Sequence, residues 1–223
     1  NVIKKGDDVK KGHTVIKKGT LITSKHIGIL CALGNNAVEC FKKIRIGIIS
    51  SGDEIVAVEE KVPIGKIRDI NSHFLSSLMR ESGYEAKEYG IVKDNFNELY
   101  NMLDKAADEC DVVLISGGSS AGSKDMTADI IEKNGKVFFH GIAVKPGKPT
   151  IFGTVKNKAV FGLPGHPAAA YLIAETVVIN LLRFLTDDNR KEITVSAKIT
   201  ENISSNHGRE ELVSVVLENG KAT

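Results

Sequence analysis

With 223 residues, 42% of them hydrophobic and 26% charged, the chain is neither disordered nor fibrous, and it is long enough for one large domain or a core domain with pieces of others. A net charge of +2 supplies no broad basic field for nucleic acid or an anionic membrane, and 5% aromatics with no Trp leaves no stacking platform for single strands. The three cysteines, Cys31, Cys40 and Cys110, are too widely spaced for a metal-ligand pair or a disulfide framework, so a reducing, cytoplasmic setting is expected, with no membrane span and no signal peptide.

Residues 1 to 23 carry a quasi-repeat, Lys4-Lys5-Gly6, Lys10-Lys11-Gly12 and Lys17-Lys18-Gly19, with apolar residues between the glycines. This pattern predicts short strands joined by turns, with solvated lysine pairs. Ser24 can cap a short helix that carries Ile27, Leu30 and Cys31 on one face and stops at Gly34. Cys31 is then expected in a core, and His13 and His26 at the surface.

From Ile44 the pattern changes. The nearly continuous apolar run Ile44 to Ile49 predicts a strand buried on both faces, and it ends in Ser50-Ser51-Gly52-Asp53-Glu54. Asp69 to Glu81 reads as a helix and Ala86 to Val92 as a strand; Asp94 or Asn95 caps the next helix, which buries Phe96, Leu99, Tyr100, Leu103 and Ala107. Val112 to Ile115 form another buried strand, followed by a hydroxyl- and glycine-rich loop, Ser116-Gly117-Gly118-Ser119-Ser120-Ala121-Gly122, and a helix from Ser123. Such a loop brings backbone N–H groups close to an anion at a helix start; it also serves as a plain sheet-to-helix turn with solvated serines.

A strand near Val137 to His140 leads to Lys145-Pro146-Gly147-Lys148-Pro149. Its prolines stiffen a turn with two ammonium groups, suited to an oxyanion or simply to an exposed rigid hairpin. Gly162-Leu163-Pro164-Gly165-His166-Pro167 follows a further apolar run, and Pro167 fits the first position of a long helix. A polar linker, Thr186 to Lys191, precedes strands near Ile193 to Ile199 and Leu212 to Leu217.

The alternation from Ile44 to Leu185 predicts an α/β domain whose central, mainly parallel sheet has helices on both faces, flanked by β-rich pieces of neighbouring domains. Expected boundaries are 1–41, 42–186 and 187–223. Ligands of such sheets bind at the carboxyl ends of the strands. Four loops there carry carboxylates, lysines and N–H groups: Ser50 to Glu54, Ser116 to Asp125, Lys145 to Pro149, and Gly162 to Pro167.

These loops, in this order and together with Gly90-Ile91-Val92-Lys93-Asp94, resemble the molybdopterin molybdenumtransferase family, which includes the E domain of gephyrin. The resemblance covers the central domain. Residues 1 to about 41 are similar to the end of that family's first structural domain, and those from about 187 to the start of its C-terminal barrel. The family's N-terminal Asp-x-Ser-Ala-Met-Asp-Gly motif is not in this sequence, so a core fragment is expected. The resemblance implies insertion of molybdenum from molybdate into adenylylated molybdopterin, with Mg²⁺ and release of AMP, by a homodimer that draws on a molybdopterin adenylyltransferase partner. Neither nucleic acid nor membrane is implied.

Carried over residue by residue, the resemblance makes Glu54, Asp94 and Asp125 the catalytic and metal-holding carboxylates. Lys145 and Lys148 would hold oxyanions. Ser51, Gly52, Ser116, Gly117, Gly118, Ser119 and Ser120 would cradle the pterin phosphate, and Pro164, Gly165, His166 and Pro167 would shape the site. The sequence departs from the family at Ser119 and Ala121, where many members have Val, at Lys124, at Met126, where an aromatic is frequent, and at His166, where Asn is usual. Two other functions share the fold: a molybdopterin adenylyltransferase, and a non-catalytic scaffold or binding module.

Overall fold

The computed structural model describes the whole chain except residues 1, 3, 5, 118–125, 189, 191, 192, 206 and 207. It divides into two compact units, Asn1–Lys42 with Leu181–Val195, and Lys43–Asn180 with Ser196–Thr223.

In the first unit the Lys-Lys-Gly repeats are the same turn made three times. Asp7 N donates to Lys4 O, His13 N to Lys10 O and Thr20 N to Lys17 O. In each turn the glycine takes a positive φ, 94° at Gly6, 91° at Gly12 and 79° at Gly19, as a turn with a left-handed third residue requires. The strands expected between them do not form among the described residues; the repeat encodes turns alone. Helix α1 (Ser24–Ala32) starts one residue earlier than expected, because Thr23 N donates to His26 Nδ1 and the pair caps it. Thus His26, expected as a surface group, is half-buried in a cap. Cys31, expected in a core, is exposed: α1 buries none of its side chains.

The second unit is built on a six-stranded sheet in the order β4-β1-β5-β9-β8-β6, formed by β1 (Arg45–Ser51), β4 (Glu85–Val92), β5 (Val112–Gly117), β6 (Gly135–His140), β8 (Ile151–Val155) and β9 (Lys158–Leu163). β1, β4, β5 and β9 are parallel, while β8 runs antiparallel to both β6 and β9. β1 and β5 are buried along their length except at Arg45, as strands covered on both faces must be. The β8–β9 hairpin turns on Lys156 and Asn157, with φ of 51° and 61°. Positive φ at both residues matches the twist of the strands.

Helices cover both faces. α3 (Phe96–Glu109) and α4 (Met126–Asn134) pack on one, where Ile49, Leu99, Leu103, Val113, Ile115, Ile130 and Val160 form a single apolar cluster. α2 (Asn71–Glu81) and α5 (Pro167–Ile173) pack together against β1 and β9 on the other. Strand alternation sends Ile46, Ile48 and Leu114 to that second face. A π-helical turn, Ala174–Val178, carries α5 into α6 (Ile179–Leu185).

The helical run Pro167–Leu185 has a mean hydropathy of 1.6 and is long and apolar enough to cross a membrane by length and composition, contrary to the sequence expectation. Of this run 39% is buried, including Ala169, Ala170 and Ile173, and its first segment, α5, packs on β9 and α2.

Four smaller strand pairs complete the second unit. β2 (Ile55–Val56) pairs with β3 (Ile67–Arg68). β10 (Lys198–Ile199), β12 (Leu217–Glu218) and β13 (Lys221–Ala222) form a small sheet, and β11 (Glu210–Glu211) adds to β7 (Val144–Lys145). The long strands expected over 193–199 and 212–217 are therefore reduced to two-residue pairings, because the alternating apolar residues there, such as Ile193 and Val213, remain exposed.

The central strands carry the stability of this unit. Leu114→Ala is expected to cost about 2–5 kcal/mol, read as a lower urea midpoint at unchanged slope; a cost within measurement error would show that β5 is not at the centre of the fold.

Candidate active site

Parallel strands deliver their carboxyl ends to one edge of the sheet. Ser51 lies level with Val92 and Gly117, and Ser116 level with Leu163. Because β8 is reversed, its first residue Ile151 stands opposite Gly162, and β6 ends beside it, His140 opposite Ile151. The segment from Gly141 to Thr150 thus opens on the same edge as the loops after β1, β4, β5 and β9.

At the β4–β1 end, Ser51 Oγ donates to Asp94 Oδ1 (3.3 Å), Asp94 N donates to Asp53 Oδ1 (3.2 Å), and Gly52 N donates to Val92 O (3.1 Å). Asn95, not Asp94, caps α3, its Oδ1 accepting from Asn97 N and Glu98 N. The Asp94 carboxylate is thereby left exposed beside Ser51 and outside the helix cap. Glu54 is also exposed, and its carboxylate folds back over the end of β1, since a Cβ built on Gly52 would lie 2.8 Å from Glu54 Oε2. The β2–β3 pairing braces this turn: Ile67 N donates to Glu54 O (2.8 Å) and Lys66 Nζ to Asp53 O (2.6 Å).

In the middle of the edge β1 and β5 nearly touch. Gly117 has φ +110°, and a Cβ there would lie 1.8 Å from Ser51 O, which no side chain can tolerate. Gly165, from the loop after β9, comes next: its Cβ would sit 3.7 Å from Gly117 Cα. Asn71, at the start of α2, bridges these loops, with Nδ2 donating to Ser116 Oγ (2.6 Å) and Gly165 O (2.8 Å). Asn71 Oδ1 is buried and has no hydrogen-bond partner among the described residues.

Beneath it, the buried Asp69 carboxylate accepts from Ser50 Oγ (2.9 Å), Ser72 N (3.1 Å) and Ser72 Oγ (2.6 Å). Asp69 therefore satisfies the first turn of α2 and ties it to β1. Neither residue stands out in the sequence as part of a site, Asp69 being expected only as the start of a helix. The spacing Asp69 to Ser72 was a usable capping signal; Asn71 carried none.

At the β8 end the lysine loop is closed by its own hydrogen bonds. Thr150 N and Oγ1 donate to Gly147 O (3.1 and 2.7 Å), and Ile142 N donates to Lys148 O (2.9 Å). The Lys145–Pro146 peptide is cis. Gly147 is buried against α5, where a Cβ would lie 2.4 Å from Ile173 Cδ1. Lys145 and Lys148 are exposed, and Lys145 Nζ forms an ion pair with Glu211 Oε1 (3.1 Å).

Of the residues expected from the sequence, Ser51, Gly52, Ser116, Gly117 and Pro164 form the buried floor of the edge. Glu54, Asp94, Gly165 and His166 are exposed above it, and Pro167 is the first residue of α5. Gly118, Ser119, Ser120 and Asp125 lie outside the described residues. No hydrogen bond or ion pair among the described residues joins Lys145 or Lys148 to Glu54 or Asp94. Also among the described residues, no group of three or more His, Cys, Asp or Glu stands together as a metal site.

This fold and edge define an α/β ligand-binding domain of the molybdopterin-binding kind. Residues 47–183 match the family described as a probable molybdopterin binding domain, and the chain belongs to that family. It is 35% identical to a molybdopterin molybdenumtransferase of Haemophilus influenzae over 94% of this chain and 52% of that one. It superposes with a TM-score of 0.88, at 37% identity, on a molybdopterin biosynthesis protein of Pyrococcus horikoshii, covering 99% of this chain and 55% of that one. A molybdenum cofactor biosynthesis protein B shares the fold alone, with a TM-score of 0.52 at 24% identity, covering 66% of this chain and 96% of that one. The chain spans about half the length of the curated relatives it matches.

Two substitutions test the floor of the edge. Gly117→Ala is expected to cost upward of about 3 kcal/mol of unfolding free energy, positive-φ strain adding to the clash with Ser51 O, while Gly165→Ala stays within about 0.5 kcal/mol of the parent; equal costs would contradict the close approach of β5 to β1. Asn71→Ala, which leaves Ser116 and the Gly165 carbonyl without their donor, is expected to cost about 1–3 kcal/mol in urea titration.

Proposed function

We propose that the edge binds adenylylated molybdopterin and molybdate and serves the transfer of molybdenum to the pterin dithiolene with release of AMP. The observation that carries this reading is the division of labour along one edge. Carboxylates stand over β4 and β1, close-approach glycines over β5 and β9, and lysines beyond β8. At the usual spacing of strands the carboxylate and lysine ends are about 15–20 Å apart. That span suits an extended ligand, such as a pterin joined through a pyrophosphate to a nucleoside, better than a compact one. The names of the relatives favour the same substrate class.

Within this reading the chain does three things. Ser116, whose Oγ accepts from Asn71 and keeps its own proton, and the N–H groups beside Gly117 receive phosphate oxygens, while Ser51 holds Asp94 in place. Lys145 and Lys148, on a stiff loop, orient the oxyanion and offset its charge. Asp94, freed from capping by Asn95, accepts a proton or orients a water at the anhydride, with Asp125 in the same role from the loop after β5.

The donor chemistry also fits Mg²⁺: Glu54 and Asp94 offer exposed carboxylate oxygens on the loops after β1 and β4, the donor type that Mg²⁺ takes together with phosphate and water. Glu54, Asp94 and Asp125 would hold it, and when bound it would supply charge neutralisation at the phosphoanhydride. Work as a homodimer in the cytoplasm, fed by an adenylyltransferase, belongs to the same proposal.

Supplied with adenylylated molybdopterin, molybdate and Mg²⁺, the full-length protein is expected to release AMP only when molybdate is present. Asp94→Asn and Asp125→Asn should each lower that rate by about 10²-fold or more with melting temperatures close to the parent's. ATP-dependent adenylylation of molybdopterin would replace this reading with the adenylyltransferase, and binding without turnover would replace it with a scaffold. Tungstate run in parallel decides which metal oxyanion is preferred.

A further inference from the structure

The lysine loop carries a carboxylate of its own, delivered from far along the chain. Strand β11 lies parallel to β7, with Glu210 N donating to Ala143 O and Leu212 N to Lys145 O (both 2.8 Å). This register sets Glu211 level with Lys145. Alternation along β11 sends Glu210 and Glu211 to opposite sides: Glu210 faces solvent, while the Glu211 side chain is 11% exposed and its Oε1 sits 3.1 Å from Lys145 Nζ. Lys145 itself is 49% exposed, so an incoming anion can reach the same ammonium.

We infer that Glu211 is a competing carboxylate that holds the Lys145 ammonium and must yield it to the oxyanion. This inference rests on the reading of Lys145 as an oxyanion-holding residue. The physical basis is that an ion pair with one half-exposed partner is weak. It can keep the ammonium pointed and occupied, yet a tetrahedral dianion can displace it. A second negative charge beside the bound oxyanion also opposes binding, so Glu211 sets how much affinity the loop retains.

Molybdate alone, titrated by calorimetry into the 223-residue chain and its variants, tests this. Glu211→Gln keeps the size and the β11 backbone pairing but removes the charge, and is expected to bind molybdate about two- to fivefold more tightly. Lys145→Met is expected to weaken binding. Unchanged or weaker binding by Glu211→Gln, with Lys145→Met weakened as expected, would overturn the inference and leave the lysine's role intact. Lys145→Met binding like the parent would instead overturn the reading on which the inference rests. A second measurement needs no variant: the Glu211 carboxyl carbon resonance should shift on titration with the midpoint of molybdate binding. A resonance unmoved at saturation would also overturn the inference.

Discussion

The arrangement of the site depends on one steric constraint: the end of β5 can lie against the end of β1 only because residue 117 has no side chain. Any Cβ there would occupy the position of the Ser51 carbonyl oxygen. With Gly117 in place, the two strands stay in register through their last residues, and the loops after them open at the same height. The loop after β9 then settles against Gly117 through Gly165. A buried amide, Asn71, locks β5 and this loop to the start of α2. The floor of the edge is thus built from backbone and hydroxyl groups, which an anion can approach closely.

On this floor the candidate groups are divided by strand: the carboxylates Glu54 and Asp94 stand on the loops after β1 and β4, and the lysines Lys145 and Lys148 stand before β8. The sorting follows from topology, because reversing β8 brings the connection from β6 to the same edge as the parallel strands. An all-parallel arrangement would place the entry to β8 at the opposite edge, with the lysines remote from the carboxylates. The antiparallel strand is therefore part of the site's design.

Much of this was legible in the sequence. β1 and β5 announce themselves because strands covered on both faces must be apolar throughout, and glycine and hydroxyl residues at their ends mark the loops. The helices on either face are read instead from apolar residues at helical spacing, such as Leu99 and Leu103. Less legible was the division of labour between Asp94 and Asn95, since either can cap a helix, and only the hydrogen bonds of Asn95 show which one does. Asn71 gave no signal, because an asparagine near a helix start usually faces water. The pairing of β11 with β7 was invisible for another reason: two residues make no period, and their partners are 66 positions apart. The Lys-Lys-Gly repeat misled in the opposite direction, since apolar residues between glycines suggest strands even where each glycine closes an independent turn. The loop from Gly118 to Asp125, central to the sequence reading, lies outside the described residues, so its part in the chemistry stands on the family's motif.

The proposed function requires that one edge of one sheet receive both nucleotide phosphate and oxyanion. Amide hydrogen exchange, measured with and without AMP and molybdate together, tests it most directly. Slowed exchange is expected at the ends of β1, β4, β5 and β9 and in the segment from Lys145 to Thr150 alone, with the opposite ends of the same strands unchanged. Protection at the opposite edge of the sheet, or on the outer faces of α3 and α4, would contradict it.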